Sequence, residues 1–223
     1  MRTRRLLISV VMALVLLLSF GSMAMANEVD LSKPLLQSEI KLKINKNLDG
    51  TQVQERFIEI NSKYDMYEPF SKEDAEFIRA YAKVPQSALA TTVETQSVET
   101  QNFNVNKTSQ SVSANFSGSL TSTINYVTHS YGGNITAKVT LGNTKVNGMD
   151  LVITNLAYGV IGTTGTYIGI VSDTEIFSST TNNTSYNMNR TKEYGAVGVL
   201  FTYTNAHAVI KTTTGNFDIY AFN

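Results

Sequence analysis

The chain has 223 residues, with 18 basic and 18 acidic side chains and a formal net charge of zero. That balance, with no basic stripe, gives nucleic acid nothing to hold. Cysteine is absent, which excludes disulfides, thiol catalysis and thiolate metal sites.

Arg2, Arg4 and Arg5 precede an apolar run from Leu6 to Phe20, and Ala24-Met25-Ala26 supplies the small residues a signal peptidase requires. The run falls short of the roughly 20 residues a helix needs to cross a bilayer. Residues 1–26 therefore read as a cleavable signal peptide. The product is expected to be secreted, either extracellular or associated with the cell envelope. No cysteine follows Ala26, so a lipoprotein anchor is excluded. Export without disulfides suits a Gram-positive bacterium.

Residues 27–85 hold 9 basic and 11 acidic side chains. Val53, Phe57, Ile60 and Tyr64 recur at one face of a helix. A second helix is marked by Ser71, whose hydroxyl can cap a backbone N–H, with Asp74 three positions on as in a capping box. Glu73, Asp74 and Glu76 suit the positive end of its dipole. Ala75, Ile78 and Ala82 continue a narrow apolar stripe, and Pro85 marks a stop. So short a helical region has a thin core. It either packs on the C-terminal region or is a pro-segment.

Residues 86–100 are rich in Thr, Gln, Ser and Glu and contain a near-repeat, Val93-Glu94-Thr95-Gln96 and Val98-Glu99-Thr100-Gln101. This composition reads as a linker. Residues 101–223 then carry only 6 basic and 5 acidic side chains. Ser109–Tyr126 alternates small polar with apolar residues, a period of two that no helix can show. Ile135–Leu141, Met149–Ile161, Tyr167–Phe177, Tyr194–Tyr203, Ala206–Thr212 and Phe217–Phe222 read as further strands. Gly132-Gly133, Asn147-Gly148, Gly162–Gly165, Ser178–Ser185, Thr204-Asn205 and Gly215-Asn216 read as turns. The fold class is mainly β, an antiparallel β-sandwich, immunoglobulin-like or similar, preceded by a short helical region. A barrel is the alternative.

Chemistry is sparsely marked. His129 and His207 lack a spacing motif that would make them ligands or a catalytic pair, and read as structural or surface residues. Asp173 and Glu175 lie two apart and share a strand face, which reads as a solvated edge. No cofactor and no metal is expected. Tyrosine is the better signal: Tyr126, Tyr131, Tyr158, Tyr167, Tyr186, Tyr194, Tyr203 and Tyr220 all lie in the β-region. Tyr131, Tyr158 and Tyr186 are the candidate ligand contacts, because an exposed phenol beside Asn and Thr suits a sugar or protein surface.

The leading expectation is a secreted, non-enzymatic β-sandwich that binds an extracellular protein or cell-wall glycan. The rival is a membrane-active protein, pore-forming or antimicrobial, that inserts through the amphipathic hairpin 109–141. An enzyme ranks third.

Overall fold

In the computed structural model the described residues are 31, 33–84, 97–125, 127–162 and 167–222. The expected signal peptide, Pro85 and residues 86–96 of the expected linker lie outside them.

Eight strands build the β-region: β1 (Ser97–Ser109), β2 (Val112–Ile124), β3 (Thr128–Leu141), β4 (Val146–Ile161), β5 (Tyr167–Thr181), β6 (Ser185–Gly195), β7 (Val199–Thr212) and β8 (Gly215–Tyr220). They form two antiparallel sheets of four, in the orders β1-β2-β3-β6 and β5-β4-β7-β8. Side chains from both sheets close one apolar core around Phe116, Tyr131, Ile135, Met149, Leu151 and Ile210. The fold is the expected antiparallel sandwich, with a strand order that differs from the immunoglobulin arrangement.

The alternation of Ser109–Tyr126 divides at a tight turn. Gln110 and Ser111 both take positive φ, 53° and 62°, as a two-residue hairpin turn requires. Residues before it belong to β1 and those after it to β2. Phe116 then pairs with Val105 on one side and Ala137 on the other. The apolar sides of hairpin 109–141 face the second sheet rather than solvent.

Several expected boundaries move. β1 starts at Ser97, inside the expected linker, because residues 97–109 find thirteen partners along β2. Gly132-Gly133 is not a turn; it lies within β3, paired to β2 and β6. A Cβ on Gly132 would stand 2.2 Å from Arg190 O, and one on Gly133 2.3 Å from Ser119 O, so close strand approach explains these glycines. Asn147-Gly148 is a bulge in β4, where the register shifts. Thr204-Asn205 does not break β7, because both residues pair with β4. The break falls instead at Ala196–Gly198, inside the expected strand Tyr194–Tyr203.

The helical region supplies α1 (Gly50–Lys63) and α2 (Lys72–Tyr81). Asp49 caps α1 and Ser71 caps α2, each accepting from the backbone N–H three residues on. Phe57, Ile60, Phe70, Phe77 and Ile78 pack on Leu156, Tyr158, Ile168, Ile170 and Phe201, which project from the outer face of the second sheet. Backbone bonds add to this: Tyr67 N–H donates to Ile170 O and Phe70 N–H to Ile168 O, both at 2.9 Å. Lys83 exchanges two such bonds with Thr202. The order of layers is helices, second sheet, first sheet. β4, covered on both sides, is buried along nearly its whole length.

Asp74 ties the two helices together. Its carboxylate is fully buried and accepts from Arg56, from Lys63 Nζ at 2.8 Å, from Tyr64 Oη at 2.7 Å and from Ser71 Oγ at 2.9 Å. The acid expected to serve a helix dipole is the centre of an ion-pair network.

Candidate ligand-binding cleft

The helices cover only part of the outer face of the second sheet. Where α1 ends its coverage, a cleft of about 570 Å³ opens between that helix and the sheet. Gln54, Phe57, Ile58 and Asn61 form the helix wall. β4 contributes Thr154 and Leu156, β5 Asp173 and Glu175, β7 Tyr203, Asn205 and His207, and β8 Tyr220.

Register brings these residues together. Thr154 lies opposite both Glu175 and Asn205, Leu156 opposite both Asp173 and Tyr203, and His207 opposite Tyr220. A bulge in β5 sets the facing of the two acids. Ala157 pairs with Ser172 while Tyr158 pairs with Ile170, so Val171 is the extra residue. Val171 joins the inner core, Ile168 and Ile170 meet the helices, and the next outward positions become Asp173 and Glu175. An unbroken alternation from Ile170 would have sent Ser172 and Thr174 outward instead.

The floor is aromatic. Phe57 stacks on Tyr203, with centroids 3.9 Å apart and planes 14° from parallel. The His207 ring lies 5.1 Å from that of Tyr220. Asn205 Nδ2 donates to Tyr203 Oη at 2.8 Å, and Asn205 Oδ1 accepts from Ala206 N–H at 2.8 Å, so the amide is held by its neighbours.

Burial pushes the Tyr203 phenol up to about 12, against the hydrogen bond with Asn205. Burial, with Asp218 nearby, raises Tyr220 too. Both stay neutral and keep a hydroxyl able to donate or accept. Burial lowers the His207 imidazole, against the pull of Asp218, Glu175 and Asp150. Near neutral pH the charges on the lining are therefore the carboxylates of Asp173 and Glu175. No lysine or arginine among the described residues lines the cleft. The arrangement can accept hydrogen bonds from hydroxyl or ammonium groups and offers ring faces beside them.

The tyrosines expected to touch a ligand lie elsewhere. Tyr131 is 1% exposed and Tyr158 0%; the first fills the sandwich core and the second lies beneath the helices. Neither presents a surface, because the strand face each occupies is covered, by the other sheet for Tyr131 and by the helices for Tyr158. Tyr186 is half-buried against the core, with its hydroxyl 2.5 Å from Ser178 Oγ. Of the groups the sequence leaves as ordinary, Asp173, Glu175 and His207 meet in the cleft, together with Tyr203 and Tyr220. The parity switch at Val171 was the signal that could have placed the two acids, and one strand read alone does not reveal it.

His129 is a structural residue. Its Nδ1 accepts from Asn125 N–H at 3.2 Å and its Nε2 donates to Ala196 O at 2.8 Å, which joins the β2–β3 turn to the β6–β7 turn. Among the described residues no group of three or more His, Asp or Glu side chains could hold a metal ion. No family model, no curated protein and no solved structure matches the chain.

Proposed function

We propose that this is a secreted, non-enzymatic protein that acts by binding, and that its ligand is a neutral or amine-bearing glycan of the cell envelope held in the cleft. The supporting observation is the lining. Two carboxylates, a fixed amide and two neutral phenols converge on an aromatic floor with no lysine or arginine among the described lining residues. Carboxylates and amides take hydrogen bonds from neighbouring sugar hydroxyls, and tyrosine rings cover the apolar faces of the sugar. The volume lies within the roughly 300–1,000 Å³ of small-molecule sites.

The test is titration calorimetry of the exported protein with purified, solubilised cell-wall glycan. Binding should saturate, and the paired change Asp173→Asn and Glu175→Gln should weaken it at least tenfold. Lys138→Ala, on the far sheet, should leave it unchanged. Failure to bind glycan, or binding indifferent to the two acids, rejects the reading. Leakage from dye-loaded vesicles at similar concentrations would favour the membrane-active alternative through hairpin 109–141. A bound glycan recovered in shortened form would favour an enzyme.

A further inference from the structure

The outer face of the second sheet continues beyond the cleft. Leu151 and Ile153 of β4, Ile176 of β5, Ala208 of β7 and Ile219 of β8 enter the sandwich core. Their neighbours Val152, Phe177, His207 and Tyr220 therefore point outward. Register sets these four side by side: Val152 lies opposite both Phe177 and His207, and His207 opposite Tyr220. They make one apolar and aromatic row across all four strands. Three strand spacings of about 4.8 Å give it a length of about 14 Å. His207 and Tyr220 line the cleft, and Val152 and Phe177 carry the row past it to the β5 edge. Phe177 is 51% exposed, and His207 and Tyr220 are half-buried, so the row presents ring surface to solvent.

A polar row flanks it on each side, one outward position away, or about 7 Å along the strands. On one side stand Glu175, Thr154 and Asn205, all part of the cleft. On the other stand Ser179, Asp150 and Asp218, with Val209 between the two acids. Lys211 Nζ lies 2.6 Å from the Asp150 carboxylate. At the β5 end, two side chains of β6 hold the strand edge. Arg190 Nη1 donates to Phe177 O at 3.3 Å and Lys192 Nζ to Glu175 O at 3.1 Å. Those carbonyls are taken, so this edge offers no ladder to an added peptide strand.

We infer that the glycan is bound as an unbranched segment of several sugars laid across the strands, with one end in the cleft and the other on Phe177. This rests on the glycan proposed for the cleft, and it adds the length and direction of the ligand. An apolar row between two hydrogen-bonding rows matches a sugar chain. Ring faces lie on the row, and the hydroxyl-bearing edges reach the carboxylates and the amide beside it. One sugar cannot cover a row that spans four strands, so the face favours a chain over a free monosaccharide. A second copy of this chain fits poorly. A two-fold interface would set the same patch against itself, and Glu175, Asp150 and Asp218 would meet acids of like charge.

The test is calorimetry of the exported protein with size-fractionated fragments of the solubilised cell-wall glycan, from a single sugar upward. Affinity should rise at least tenfold with length and then level off. Phe177→Ala should weaken the long fragments at least fivefold and leave the shortest fragment that binds unchanged. Affinity independent of length, or a Phe177→Ala effect equal at all lengths, overturns this inference and leaves glycan binding in the cleft intact. No binding at any length overturns both. A dimer in sedimentation that is lost on Phe177→Ala would assign the row to a second copy instead. A further readout needs no variant: the backbone amide resonances of Val152 and Phe177 in the wild type should shift with long fragments and stay in place with the shortest. Resonances that stay in place with every fragment that binds would also overturn the inference.

Discussion

The ring of Phe57 in α1 lies flat on that of Tyr203 in β7, with centroids 3.9 Å apart. This one contact joins the helical layer to the second sheet and forms the floor of the cleft. The same Phe57 ring also meets Phe77 at 4.9 Å and Tyr158 at 6.3 Å. Residues 31–84 and the sandwich therefore share an apolar core.

Replacing Phe57 with Ala should destabilise the protein by about 3–5 kcal/mol, the range for a large buried aromatic. The measurement is urea unfolding monitored by far-ultraviolet circular dichroism. A loss under about 1 kcal/mol would mean that the helices do not pack on the sheet as described.

The carboxyl of Asp74 should make the helical layer acid-sensitive. Burial by itself would raise its pKa, but hydrogen bonds from Lys63, Tyr64 and Ser71 and the charge of Arg56 outweigh it, and the net shift is downward. The folded state therefore binds this proton less tightly than the unfolded chain does. The stabilisation is fully present above the ordinary carboxylate value near 4 and is lost as pH falls below it through the folded value. Asp74→Asn leaves Arg56 without its buried partner and should cost about 3–5 kcal/mol near neutral pH. Part of the acid sensitivity should vanish with it. An Asn variant as stable as the wild type would contradict the network.

His207 should give a second pH effect, of the same sign but at higher pH. Burial holds its folded pKa below the ordinary value, so the unfolded chain takes up the proton first, at about pH 6.5. Stability should fall as pH drops through that value and level off once the folded ring is also protonated. Stability plotted against pH across this window should show a shallower slope for His207→Gln than for the wild type. Identical slopes would place His207 in a more solvated setting than the cleft.

The C-terminal strand should be indispensable. Phe217 is 8%, Ile219 1% and Ala221 5% exposed, and the Phe222 ring meets that of Phe103 from the first sheet at 5.7 Å. Burying each large side chain contributes about 1.5–3 kcal/mol, against a net stability of about 5–15 kcal/mol for a whole domain. Removing residues 217–223 should abolish soluble folding and uncover the β7 edge. A truncated protein that is soluble and melts cooperatively would refute this role for β8.

Local pattern was enough for the class of this fold and for many of its elements. Period-two alternation from Val112 to Ile124 admits only a strand, and the spacing of Val53, Phe57, Ile60 and Tyr64 admits only a helix, because each pattern needs nothing beyond its neighbours in sequence. Turns were less legible. Gly132-Gly133 carries the composition of a turn, yet it marks strands in close approach, and only the strands on either side reveal that. Tyr131 and Tyr158 were misplaced for a related reason. A tyrosine on a strand looks the same in sequence whether that face meets solvent, another sheet or a helix layer. The cleft was the least legible feature. It takes residues from α1, β4, β5, β7 and β8, segments up to 166 positions apart from Gln54 to Tyr220. It also depends on the single extra residue at Val171 that turns Asp173 and Glu175 outward. The sequence determined which segments are strands and helices through local periodicity; which faces are covered, and which polar groups meet, was decided by packing between segments that no local pattern relates.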